Sequence, residues 1–359
     1  MNERTKRLRQ ESLDAIPSIT AERALITTAF FKENLGRHST PMLRALNFME
    51  ICEKKSLWLG ENELIVGERG PAPKAVPTYP ELTCHSAEDL RILNSRARTQ
   101  YKVDDSVIEA YEREVVPFWQ GRSLRDQMFK HLSREWQDAY EAGCFTEFME
   151  QRSPGHTVAD GKIYRKGLLD FKADIAESLA ALDFENDPEA LDKQEELKAM
   201  AVSCDALIRW AERYAEVAEA QAAKTSNAKR KQELLKIADA CRWVPAHAPR
   251  DFQEALQYYW FCHLAVVTEL NGWDAYSPGH LDQHLWPFYQ KGLADGTLTK
   301  EKARELLECF FVKFNNHTAP AKQGVTAAES GTYNDFTQIS LGGVDREGGD
   351  ASGEVSSIL

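Results

Sequence analysis

At 359 residues, with 43% hydrophobic and 28% charged content, the chain suits one large or two ordinary globular units. Its 56 acidic against 44 basic residues leave a net charge of −12, which argues against a nucleic-acid backbone partner, since that calls for a basic face. Seven cysteines, at 52, 84, 144, 204, 241, 262 and 309, form no C-x-x-C pair, so a reducing, cytoplasmic setting is expected rather than a disulfide framework.

Residues 1–55 read as helices, with Thr40-Pro41 a favourable helix start because proline at the first helical position lacks only an N–H that would be unpaired anyway. Gly60–Gly67 reads as a turn leading into a short β-branched strand. Four prolines between Pro71 and Pro80 rule out helix or central strand and imply an extended segment laid over the domain. Ser86, followed by Glu88 and Asp89, caps the next helix, and Ser123 caps another after the break at Trp119–Arg122. Cys144, in Gly143-Cys144-Phe145-Thr146-Glu147, is expected to be a buried structural cysteine.

Arg152–Thr157 is a short irregular break before a helix that starts near Lys162. The charged stretch 185–199 reads as a solvated helix face or loop. Two long amphipathic helices follow up to Trp243, broken near Thr225-Ser226-Asn227. Leu207, Trp210, Tyr214 and Val217, at spacings of three and four, form the inward stripe of the first.

Asp251, with Glu254 three residues on, opens a strongly apolar helix. Gln253, Glu254, Gln257 and His263 interrupt its apolar run, so it reads as a core helix rather than a membrane span. The turn-rich stretch Asn271–Gln283 then lies between two buried helices, a place where a scaffold holds polar groups toward a cavity. His280 and His284, spaced by four, lack the H-E-x-x-H pattern, so no metal site is expected. Trp286–Gly292 closes a helical hairpin and Thr299 caps the following helix. Short strands are expected at Gln323–Thr326 and at Thr337–Leu341, before Gly342-Gly343. No repeat or low-complexity linker divides the chain, which reads as one helix-rich α/β domain over 1–359.

Three groups of residues, in order, carry a resemblance. They are Pro249-Arg250-Asp251-Phe252-Gln253-Glu254-Ala255-Leu256-Gln257, the Gly279-His280-Leu281-Asp282-Gln283 loop, and Ile339-Ser340-Leu341-Gly342-Gly343. Together with Glu63-Leu64-Ile65-Val66-Gly67 and Tyr79-Pro80-Glu81, they resemble the glycyl radical enzymes related to pyruvate formate-lyase. The resemblance implies the N-terminal portion of a ten-stranded barrel wrapped by helices. It also implies a radical-SAM activating enzyme as partner of the intact protein, a homodimer, and neither nucleic acid nor membrane as partner. The family's Gly-Cys-x-Glu loop and C-terminal Arg-Val-x-Gly segment are not in this sequence. The radical glycine and its cysteine are therefore expected outside it, the chain is expected to be a fragment inactive on its own, and no catalytic residue is nominated.

Substrate-side positions carry over from the resemblance. They are Phe148 as a pocket wall, Arg152 for an anionic group, His156 beside a hydroxyl or amine, Asp274 as a small acidic group, and Ser330 with Tyr333 as lining. In this family a thiyl radical takes hydrogen from a carbon bearing a hydroxyl, and a neighbouring C–O, C–N or C–S bond breaks. Histidine titrates near neutrality and suits the hydroxyl proton; the arginine fork suits a sulfonate or carboxylate. The expected substrate is a small hydroxylated anion, best a hydroxyalkyl sulfonate that loses sulfite. Alternatives are diol or glycerol dehydration, choline cleavage and hydroxyproline dehydration, or, in a different class, an inert remnant or interaction module.

Overall fold

In a computed structural model of the chain, the structure describes residues 1–145, 157–158, 160–270, 276–319, 324, 327, 337–345 and 347–359. Its helices include α1 (Glu3–Asp14), α2 (Glu22–Asn34), α3 (Thr40–Lys54), α4 (Ala87–Ser95), α5 (Asp105–Ala110), α6 (Val116–Trp119), α7 (Leu124–His131) and α8 (Arg134–Glu141). They continue as α9 (Leu168–Ala180), α10 (Ala190–Lys224), α11 (Ala228–Trp243), α12 (Phe252–Glu269), α13 (Leu281–Asp295), α14 (Lys300–Asn316) and α15 (Glu354–Ile358).

The caps follow the sequence. Ser86 accepts from Asp89 N while Asp89 reaches back to Ser86 N, a full capping box. Ser123 and Thr299 each accept from the third residue of their helix. At α12 the box is modified: Asp251 accepts from Glu254 N, but the Glu254 carboxylate takes the N–H of Arg250, one residue earlier. α10 already begins at Ala190, so most of the charged 185–199 stretch is helix with its charges in solvent.

The core forms around α12, which is buried on every face from Phe252 to Phe261. Trp210 and Tyr214 of α10, Leu234 and Ile237 of α11, and Phe310 of α14 close over it. A helix buried all round normally carries only apolar side chains. Here Gln253, Glu254 and Gln257 are buried, and each is hydrogen-bonded.

Their engagement accounts for a departure from the sequence reading. Residues 64–67 form no strand, although they are buried and rich in Leu, Ile and Val. Side chains take the place of a neighbouring strand. The Gln257 amide accepts from Val66 N at 2.8 Å and donates to Val66 O at 2.9 Å. Gln253 donates to Leu64 O, Trp260 Nε1 to Gly67 O, and Tyr214 accepts from Glu68 N. Every polar backbone group held this way would otherwise be stranded in a dry core. Gly67 is required at its position, since its φ is +122° and a Cβ would stand 2.4 Å from Leu264 Cδ1. Gln257→Ala removes both bonds to Val66 and is expected to lower the unfolding free energy by about 2–4 kcal/mol in a urea titration. A loss below about 0.5 kcal/mol would show that Val66 finds other partners.

The strands are short and parallel. β1 (Ser18–Thr20) pairs with β2 (Ala75–Pro77), which lies inside the proline-rich stretch. Only the second half of that stretch is extended as expected: residues 71–74 form a bend and turn with Lys74 at φ +58°, and residues 75–80 are buried rather than laid over the surface. Among the described residues the remaining strand pairs are β3 (Thr157–Val158) with β4 (Tyr276–Ser277), and β5 (Gly279–His280) with β6 (Ile339–Ser340). The strand expected at 323–326 falls almost wholly outside the described residues. Among the described residues no helix is long and apolar enough to cross a membrane.

Cys144 is exposed, not buried. α8 is capped at Ala142, Gly143 turns the chain in the left-handed region at φ +72°, and the cysteine falls beyond that cap in solvent.

Candidate functional site

The stretch 276–283 joins three distant parts of the chain. Pro278 has no N–H to give to a ladder, and Gly279 takes φ +67°, so the chain turns between β4 and β5. Each two-residue strand consequently finds a different neighbour. Thr157 stands opposite Tyr276, Gly279 opposite Ile339, and Gln338 N donates to Ser277 Oγ at 3.2 Å. The chain immediately after position 156, the chain immediately after position 275 and the chain leading out of the 330s thus meet at one place.

α12 forms the back wall of this junction. Tyr259 donates its hydroxyl to Tyr276 O, and His263 Nδ1 lies 3.2 Å from the same carbonyl. The rings of Tyr259 and Tyr276 stack at 5.8 Å with 10° between planes. Behind them Trp260 stacks on His263 at 4.9 Å and lies 4.7 Å from His317. Burial holds His317 well below its ordinary pKa, with His263, Arg69, Lys313 and Lys55 nearby pushing the same way, so it is neutral at pH 7. On the other side Tyr164 stacks on His284 at 5.0 Å. Burial lowers the His284 pKa, opposed by Asp160. The wall is therefore largely aromatic.

Phe148, Arg152, His156, Asp274 and Ser330 all lie outside the described residues, as does Tyr333. Described residues bring their flanks together: β3 starts just after His156, and β4 starts two residues after Asp274. Sequence reasoning missed the wall residues Tyr259, His263 and Tyr276. Both hydrogen bonds to Tyr276 go to its carbonyl, and a backbone acceptor leaves no mark in a sequence.

Burial pushes the thiol of Cys204 up to about 11 and those of Cys84, Cys262 and Cys309 up to about 12, so none is a thiolate nucleophile at neutral pH. Among the described residues no group of three His, Cys, Asp or Glu side chains is placed to hold a metal. A groove of about 700 Å³ runs between α3, α9 and α10, lined by residues such as Phe171, Ile175 and Met200. None of its lining residues belongs to β3–β6 or to α12 within the junction. Arg44 in it is already held by both oxygens of Glu269. We do not place the site there.

A profile of the pyruvate formate lyase-like family matches residues 1–359. The trans-4-hydroxy-L-proline dehydratase of Clostridioides difficile is 48% identical over 357 residues, 99% of this chain and 45% of that protein. The isethionate sulfite-lyase of Nitratidesulfovibrio vulgaris is 30% identical over 356 residues, 96% of this chain and 42% of that protein. The crystal structure of the Clostridioides difficile hydroxyproline dehydratase with trans-4-hydroxy-L-proline bound superimposes with a TM-score of 0.95 at 47% identity, covering 100% of this chain and 45% of that one. The chain thus spans less than half the length of the relatives it matches.

Proposed function

The chain belongs to the pyruvate formate lyase-like family, whose relatives named above are glycyl radical dehydratases and lyases, and from that premise we propose that it builds the substrate-holding part of a dehydratase acting on a hydroxylated cyclic amino acid. The substrate class is that of trans-4-hydroxy-L-proline. The observation that carries this reading is 48% identity to a hydroxyproline dehydratase across 99% of the chain, against 30% to a sulfonate-cleaving relative. It replaces the hydroxyalkyl sulfonate as the preferred substrate.

The residues nominated from the sequence suit such a molecule at three points. Arg152 offers two parallel N–H donors to the carboxylate. Asp274 offers a carboxylate to the ring ammonium. His156 hydrogen-bonds the hydroxyl and transfers the proton at that oxygen as it departs. Phe148 and Ser330 complete the pocket. A thiyl radical, supplied from a cysteine loop outside these 359 residues and stored as a glycyl radical, would remove the hydrogen atom that starts the elimination. The reading includes a radical-SAM activating partner and a homodimeric whole protein.

Calorimetric titration of the chain with trans-4-hydroxy-L-proline, L-proline and isethionate tests the reading. Hydroxyproline is expected to bind tightest. L-proline is expected to bind about tenfold or more weakly, because it leaves the partners of the hydroxyl unpaired. Tighter binding of isethionate would restore the sulfonate reading.

A further inference from the structure

We propose that Asp282 is a positioning residue, whose buried carboxylate latches the 276–283 stretch to the Gly342 turn and to α15. The functional consequence rests on the substrate reading above; the latch itself does not. Asp282 is 2% exposed, and its two oxygens collect three donors from three segments. Oδ1 accepts from Gln283 N at 2.9 Å, while Oδ2 accepts from Gly342 N at 2.7 Å and from the hydroxyl of Ser356. The adjacent Gln283 completes the grip, donating through Nε2 to Gly342 O at 2.8 Å. Consecutive side chains of α13 therefore hold both polar groups of Gly342, extending the β5–β6 pairing beyond its two residues.

The geometry leaves little freedom. Ser356 Oγ accepts from Gly353 N at 2.9 Å, which directs its hydroxyl proton to Asp282. Gly342 has φ +62°, and a Cβ there would stand 2.6 Å from Ser352 Oγ. Glycine adopts this conformation without the strain an L side chain would bring, and so presents its N–H to the carboxylate. The bonds join segments 60 and 74 residues apart. They fix the exit of the stretch that carries Asp274 and the exit of the stretch that carries Ser330. A carboxylate suits this task because it has acceptor sites for several donors and no donor of its own to leave unpaired in the buried junction.

Hydrogen–deuterium exchange on the 359-residue chain and on Asp282→Asn, Ser356→Ala and Gln257→Ala tests the latch, combined with calorimetric titration by trans-4-hydroxy-L-proline. Asp282→Asn is expected to raise exchange about tenfold or more in peptides covering 276–283 and 338–343, with α10 and α12 unchanged. Ser356→Ala is expected to raise it in 353–359 and, to a smaller degree, at Gly342. The dissociation constant is expected to rise about tenfold for Asp282→Asn. For Gln257→Ala, which lowers global stability away from the junction, it is expected to stay put. Exchange in 276–283 and 338–343 unchanged by Asp282→Asn overturns the latch. Equal weakening of binding by Gln257→Ala reduces Asp282 to a stability residue and overturns its positioning role. A parent chain that binds none of the titrants counts against the substrate reading alone, and exchange then decides the latch by itself.

Discussion

Lys313→Met is expected to lower the unfolding free energy by about 3–5 kcal/mol, the cost of leaving buried charge without its partner. Lys313 is 3% exposed and bonds Glu63 and, at 3.0 Å, Glu68, whose side chains are 5% and 1% exposed. One ammonium thus serves two carboxylates, with Asn316 donating a further bond to Glu68 at 2.9 Å. Burial raises the Glu68 pKa above 4.5 even with Lys313 beside it, and removal of the cation raises it further. The sign of the pH dependence follows. A carboxylate whose folded pKa is raised keeps its proton in the fold after the unfolded chain has lost it, so stability falls as pH rises above about 4.5. The variant should show a steeper fall than the parent in urea titrations between pH 4.5 and 7. Adding Glu63→Gln and Glu68→Gln should restore much of the loss. A variant as stable as the parent at pH 7 would mean that the carboxylates are solvated.

The largest effect on activity is expected from His156→Ala in the activated full-length protein. A positioned acid or base contributes roughly 10²–10⁴-fold, so turnover should fall by about that factor while the Michaelis constant changes little. Loss confined to the transition state lowers kcat and kcat/KM together. Arg152→Ala should do the opposite, mainly raising KM, because under the proposed reading its bonds to the carboxylate would exist equally before and during reaction. Near-parental turnover of His156→Ala would remove the histidine from the reaction.

The sequence disclosed the helices because a helix announces itself locally. Ser86, Ser123, Asp251 and Thr299 each cap within three or four residues of their own position, and the stripe Leu207, Trp210, Tyr214 is visible within one segment. The strands were less legible for a physical reason. β3–β6 hold two residues each, too few for an alternating pattern, and each pairs with a partner 60 or more positions away. Leu64–Gly67 had a strand's composition, but its partners are side chains of α12, which periodicity cannot reveal. Cys144 was misplaced because burial was inferred from residue type, while the αL turn at Gly143 put it in solvent. The Gly279–Gln283 stretch was legible as a turn and as a family signature. That Asp282 is its anchor depends on Gly342 and Ser356, and no local pattern points there.

A crystal structure of the chain grown with trans-4-hydroxy-L-proline tests the central claim most directly. The account expects the ligand at the junction of β3, β4 and β6, its carboxylate on Arg152, its ring nitrogen on Asp274 and its hydroxyl on His156. Ligand in the groove between α3, α9 and α10, or at the junction with Arg152 and His156 turned away from it, would contradict the account.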